Sequence, residues 1–115
     1  MQPNELKEAI CKILDDNKAV DITVLDVNNL TVLADYMVIC TAKSTKQVRG
    51  LAETLEGTLE DQGVELIREE GTNTNWAILD YGSVLVNIFN DEMRTFYCLE
   101  KLWTDGNNIT KYQGK

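Results

Sequence analysis

Leu6, Ala9, Ile10, Ile13 and Leu14 recur at i, i+3, i+4, i+7 and i+8, with Glu5, Glu8, Lys12 and Asp15 between them. This spacing gives a helix one apolar face, and it predicts a first helix over residues 4–16. From Val20 the period shortens to two: Ile22 and Val24 fall on one side, Thr23 and Leu25 on the other, and the β-branched content predicts a strand over residues 20–27. Tyr36-Met37-Val38-Ile39-Cys40-Thr41 is apolar on both sides, the pattern of a strand covered on both faces, and is the expected central strand. Ser44 and Gln47 then form an S-x-x-Q capping box ahead of Val48, Leu51, Ala52, Leu55 and Leu59 at helical spacing, with Gly63 as the stop.

Three short strands are predicted next, at 64–68, 75–79 and 84–89, separated by the turn-forming Gly71-Thr72-Asn73-Thr74 and Asp80-Tyr81-Gly82-Ser83. Asn90 or Asp91 is positioned to cap a last helix carrying Met93, Phe96, Leu99, Leu102 and Trp103, ended by Gly106. The strand–helix–strand stretch is long enough for a parallel crossover, whereas the three short strands must form an antiparallel meander. The expected fold is therefore α/β, a mixed five-stranded sheet flanked by helices. One domain spans residues 1–106, followed by a polar, frayed tail at 107–115.

Composition narrows the chemistry more than it changes the fold. The 115 residues, 43% hydrophobic, suffice for one core, and folding buries roughly 65% of the unfolded surface without help from metals or disulfides. No His occurs, which excludes Ser-His-Asp and Cys-His hydrolysis and His-ligated metals. Cys11, Cys40 and Cys98 are odd in number and form no CxxC pair, as expected of reduced thiols. The longest apolar run, Tyr36 to Cys40, falls far short of the ~20 residues that cross a bilayer. With no targeting signal at the N-terminus, a cytoplasmic location is expected. Net charge is −8, so the natural partner is basic rather than a nucleic-acid backbone.

No GxGxxG or GxxxxGK[ST] sequence is present, and no cofactor is expected. Lys43, Lys46 and Arg49 cluster at the start of the second helix, where a peripheral RNA phosphate could be met; three basic residues on a solvated helical face are the commoner case. Asp26, Asp35 and Asp80 stand at predicted strand ends, yet no D-x-D or D-x-E pair lies on a strand, so capping and turn roles are expected rather than two-metal chemistry. Trp76 alternates with Ile78 and Asp80 and is read either as an interface anchor or as a core residue; periodicity favours neither. Glu100 shares the last helix with Phe96, Tyr97 and Trp103 and faces either solvent or a basic partner.

Taken together, Ala34-Asp35-Tyr36-Met37-Val38-Ile39-Cys40-Thr41, Gln47-Val48-Arg49, Glu70-Gly71, Trp76, Asp80-Tyr81-Gly82, Val84 to Phe89, Arg94 and Tyr97-Cys98-Leu99-Glu100-Lys101-Leu102-Trp103 closely resemble the Iojap family, the ribosomal silencing factors. The resemblance covers nearly the whole chain. It implies a nucleotidyltransferase-like fold without the catalytic acids, and a non-enzymatic repressor. Such a protein binds the large ribosomal subunit through ribosomal protein fourteen on the intersubunit face, obstructs joining of the small subunit, and lowers translation when nutrients are scarce. Trp76, Asp80, Glu100 and Trp103 match family positions and are the expected partner contacts. Asp35, Tyr36, Arg94 and Tyr97 match too, and for these a structural role is at least as well supported. Asn87 stands where members often carry His, and Lys43 departs from the family's strand-to-helix turn. A homodimer is the expected free form. The alternative from another class is a nucleotidyltransferase-like, nucleotide-binding enzyme, and an assembly factor on large-subunit precursors would differ from the repressor only in timing.

Overall fold

The computed structural model describes residues 2–28, 34–72, 74–90 and 109–112. Helix α1 (Pro3–Asp16) and helix α2 (Thr45–Asp61) accompany six strands: β1 (Val20–Asp26), β2 (Tyr36–Ala42), β3 (Arg68–Glu70), β4 (Trp76–Asp80), β5 (Val84–Asn90) and β6 (Ile109–Lys111). They form one mixed sheet in the order β3-β4-β5-β2-β1-β6. The only parallel pair among the described strands is β2 with β5, reached through α2 and the β3-β4 hairpin, while β3-β4-β5 is the antiparallel meander that the sequence predicts. No described helix is long and apolar enough to cross a membrane.

Both helices cover one face of the sheet. Leu6, Ile10, Cys11 and Leu14 of α1 and Val48, Leu51, Ala52, Leu55 and Leu59 of α2 are buried. They meet Ile22, Val24, Val38, Cys40, Ala77, Leu79, Val86 and Ile88 of the strands. Period-two alternation sends Leu25, Met37, Ile39 and Phe89 to the opposite face, where they form a second cluster with Trp76 and Leu85 packed against it. This is why β2 reads as apolar on both sides: both of its faces are buried.

Local signals set the helix ends. The Ser44 hydroxyl accepts from the Gln47 backbone N–H at 3.1 Å, but the Gln47 side chain takes the Lys43 N–H, at 2.7 Å, so the expected capping box closes one residue early. At the other end of α2, Gly63 has φ +83°, and Val64 and Gly63 donate to the carbonyls of Leu59 and Glu60. That is a Schellman closure.

Two expectations need correction. The sheet has six strands rather than five, because residues 109–111 of the segment read as a frayed tail pair with β1. Three residues with one apolar side chain carry too little pattern to announce a strand, and the edge of β1 supplies their hydrogen bonds. The strand expected at 64–68 is confined to Arg68–Glu70. Val64 closes α2, and Val64 and Leu66 pack against the helix-side core, so their apolar character reflects burial rather than strand pairing. The expected last helix, with Arg94, Tyr97, Cys98, Glu100 and Trp103, lies outside the described residues.

Candidate functional site

The face of the sheet opposite α1 and α2 is organised by the register of β4 against β5. Trp76 pairs with Phe89, Ile78 with Asn87 and Asp80 with Leu85, so these six side chains share one surface. The half-buried Trp76 ring stacks on the buried Phe89 at a centroid distance of 4.9 Å and an interplanar angle of 27°. Its indole Nε1–H donates to Asn87 Oδ1 at 2.9 Å. Asn87 is only 2% exposed, and among the described residues its Nδ2 has no hydrogen-bond partner. The indole is therefore fixed by a stack from below and a hydrogen bond from the side, which reduces the ordering cost of using it as an anchor. Trp76→Phe would keep the stack and orphan Asn87 Oδ1 as well. The expected loss is about 1–3 kcal/mol, read by denaturant unfolding.

Asp80 occupies the other end of the same stripe, about 13 Å away at ~3.3 Å per residue. Its Oδ1 accepts from the Gly82 N–H at 2.8 Å, and Gly82, at φ +86°, turns the chain into β5. Arg68 Nη2 on neighbouring β3 approaches Asp80 Oδ2 at 3.9 Å. Asp80 thus combines the turn role expected of it with a quarter-exposed carboxylate. Asp26 and Asp35 stand at the same end of the sheet, but Asp26 is on β1, with β5 and β2 intervening, which puts it about 14 Å from Asp80 at ~4.8 Å per strand. Asn28 bridges that pair: its backbone N–H donates to Asp26 at 3.2 Å, and its side-chain amide donates to Asp35. Among the described residues no group of three or more Cys, Asp or Glu is placed to hold a metal ion.

Lys43, Lys46 and Arg49 are exposed. Arg49 Nε contacts Glu53 Oε2 at 3.2 Å, one turn along α2. The Thr45 hydroxyl bonds Asn75 Oδ1, which also takes the Asn90 amide at 2.9 Å. This tie draws the start of α2 to the start of β4. The structure therefore brings the basic trio to the Trp76 end of the sheet and leaves Asp80 at the other. Of the expected contacts, Glu100 and Trp103 lie outside the described residues. Phe89 and Asn87 were missed as supports of Trp76, since their adjacency to it depends on strand register. Burial pushes the Cys11 thiol up to about 12, with Glu8 adding to the effect, so its thiolate is scarce at neutral pH.

Over residues 1–115 the sequence matches the family described as "Ribosomal silencing factor during starvation". The chain belongs to that family. It is 34% identical over 110 residues to the ribosomal silencing factor RsfS of Halalkalibacterium halodurans, covering 95% of this chain and 94% of the relative. It is 37% identical over 92 residues to RsfS of Bacillus subtilis, covering 79% and 78%. A crystal structure of a Chromobacterium violaceum protein superimposes with a TM-score of 0.87 at 31% identity, covering 99% of this chain and 95% of that one. The ribosomal silencing factor family is thus described by a regulatory role, and the mixed α/β sheet with flanking helices is shared with a solved structure at family-level identity.

Proposed function

We propose that this ribosomal silencing factor binds the large ribosomal subunit through ribosomal protein fourteen and blocks joining of the small subunit by occupying the intersubunit face, lowering translation under nutrient limitation. The full-length family match carries this reading. The described surface supports it: a pre-fixed aromatic, Trp76, and a carboxylate, Asp80, lie on one stripe of a chain with net charge −8, and charge of that sign is drawn to a basic ribosomal protein. An interface of ~800 Å² per partner is enough for stable binding and for covering an intersubunit contact. Trp76 and Asp80, with Glu100 and Trp103, are the proposed protein contacts; Lys43, Lys46 and Arg49 are the proposed peripheral RNA contact. The protein acts in the cytoplasm, is a homodimer when free, and needs no turnover and no cofactor.

Sucrose-gradient sedimentation tests the reading. The protein should travel with large subunits, and adding it to separated subunits should reduce the intact-ribosome peak in proportion to dose. Failure to co-sediment, or an unchanged peak at saturating dose, would refute it.

A further inference from the structure

Asn87 sits in surroundings that suit an aliphatic side chain. Its cross-strand neighbours are Ile78 on β4 and Ile39 on β2, and period-two alternation puts Leu85 and Phe89 on the same face of β5, two residues to either side. Ile39 and Phe89 are buried, and Ile78 and Leu85 are half-buried. Asn87 itself is 2% exposed. Judged by packing and strand propensity alone, a leucine or valine would serve this position better than an amide.

The polar contact that Asn87 makes runs diagonally across the register. Trp76 pairs with Phe89 rather than with Asn87, and its long side chain reaches back one pair to place Nε1 at 2.9 Å from Asn87 Oδ1. An indole nitrogen can only donate, so chemistry fixes the amide: Oδ1 must face Trp76 and Nδ2 must point away. Among the described residues nothing accepts from Nδ2. The two ends of one amide therefore act in opposite senses. Oδ1 holds the ring, while Nδ2 carries the desolvation cost of buried N–H groups without acceptors.

We propose that Asn87 is a positioning residue for Trp76, a polar group kept inside the sheet to hold the indole in the orientation that meets the partner, at the expense of the sheet's own stability. This rests on the reading of Trp76 as a contact with the large subunit. Stacking on Phe89 sets the plane of the ring, but a stacked ring can still swivel in that plane. The hydrogen bond removes this freedom. A ring held before contact has less freedom to lose on binding, so the bond acts on affinity through Trp76. A group retained only for folding has the reverse signature, since its loss lowers stability first.

The test compares thermal stability with affinity for purified large subunits. Asn87→Leu keeps the branched shape without either polar end, and Asn87→Val does the same with a smaller side chain. Both remove the unsatisfied donor and release the indole, whose N–H can then turn to water. Their melting temperatures should equal or exceed the parent's, while affinity falls about 3–10-fold, the effect of having to order a freed side chain on binding. Asn87→Asp keeps an oxygen for the indole but buries a carboxylate, so it should melt lower and yet bind like the parent. In 15N-labelled protein the indole cross-peak that disappears in Trp76→Phe belongs to Trp76. That peak should move upfield in the Leu and Val variants and stay in place in the Asp variant. Added to Trp76→Phe, Asn87→Leu should leave affinity unaltered, because no indole N–H remains to be held. Lower stability in both apolar variants would make Asn87 a structural residue and overturn the inference. Parent-like affinity in both, with weak binding by Trp76→Ala, would overturn it alone. Parent-like affinity in Trp76→Ala would remove the contact reading and the inference with it.

Discussion

Replacing Trp76 with Ala and Asp80 with Asn together should weaken association with large subunits by about 100-fold, close to 2.7 kcal/mol, the size expected when a central aromatic anchor and a charged contact are lost. Choosing Asn at position 80 matters, because Asp80 Oδ1 holds the Gly82 N–H and an amide oxygen can still accept that bond. The double variant then removes the indole and the charge while the turn into β5 survives. Filter binding or gradient co-sedimentation at several protein concentrations reads the affinity, and circular dichroism reads the fold. Affinity within threefold of the parent, with the fold intact, would place the contact surface elsewhere. The salt dependence should fall as well, since one negative charge leaves the stripe.

The largest stability effect is expected at Phe89. Its side chain is buried, pairs across the sheet with Trp76 and stacks on it at 4.9 Å. Phe89→Ala should cost about 3–5 kcal/mol, combining lost transfer free energy with a cavity that the β4-β5 register prevents from collapsing. For a chain of this size the melting temperature should drop on the order of 10–20 °C. Calorimetry or a urea transition with unchanged slope would measure it. A loss below 1 kcal/mol would mean that the second cluster is not a packed core. Subunit binding should weaken in the same variant even where it remains folded, because Trp76 loses the ring on which it rests.

Much of the architecture was legible along the chain because its strongest elements carry their own signals. α2 is written in Ser44, Gln47, five apolar positions and Gly63, and each does locally what its type predicts. The doubly apolar β2 proved to be one of the two central strands, beside β5. What escaped depends on partners distant in sequence. β6 exists because β1 offers an open edge, and no property of Ile109, Thr110 and Lys111 alone reveals that edge. Val64 and Leu66 look like strand residues yet are held by the end of a helix.

The site divides in the same way. Trp76 and Asp80 could be singled out by type and spacing, whereas the Trp76–Asn87 hydrogen bond and the Phe89 stack follow from which residues β4 and β5 set opposite one another. Alternation alone left Trp76 balanced between core and surface. The structure answers with a half-buried ring stacked on Phe89.

The parallel pairing of β2 with β5 joins residue 36 to residue 84, with a helix and a hairpin strung between them. During synthesis the first half of the chain can assemble α1 against the β1-β2 pair, but β2 keeps a bare flank until the second half emerges. The middle of the sheet is thus zipped late, by contacts of long sequence separation that slow folding relative to the local hairpins. Until then the apolar flank of β2 is the segment most prone to pair with a neighbouring chain.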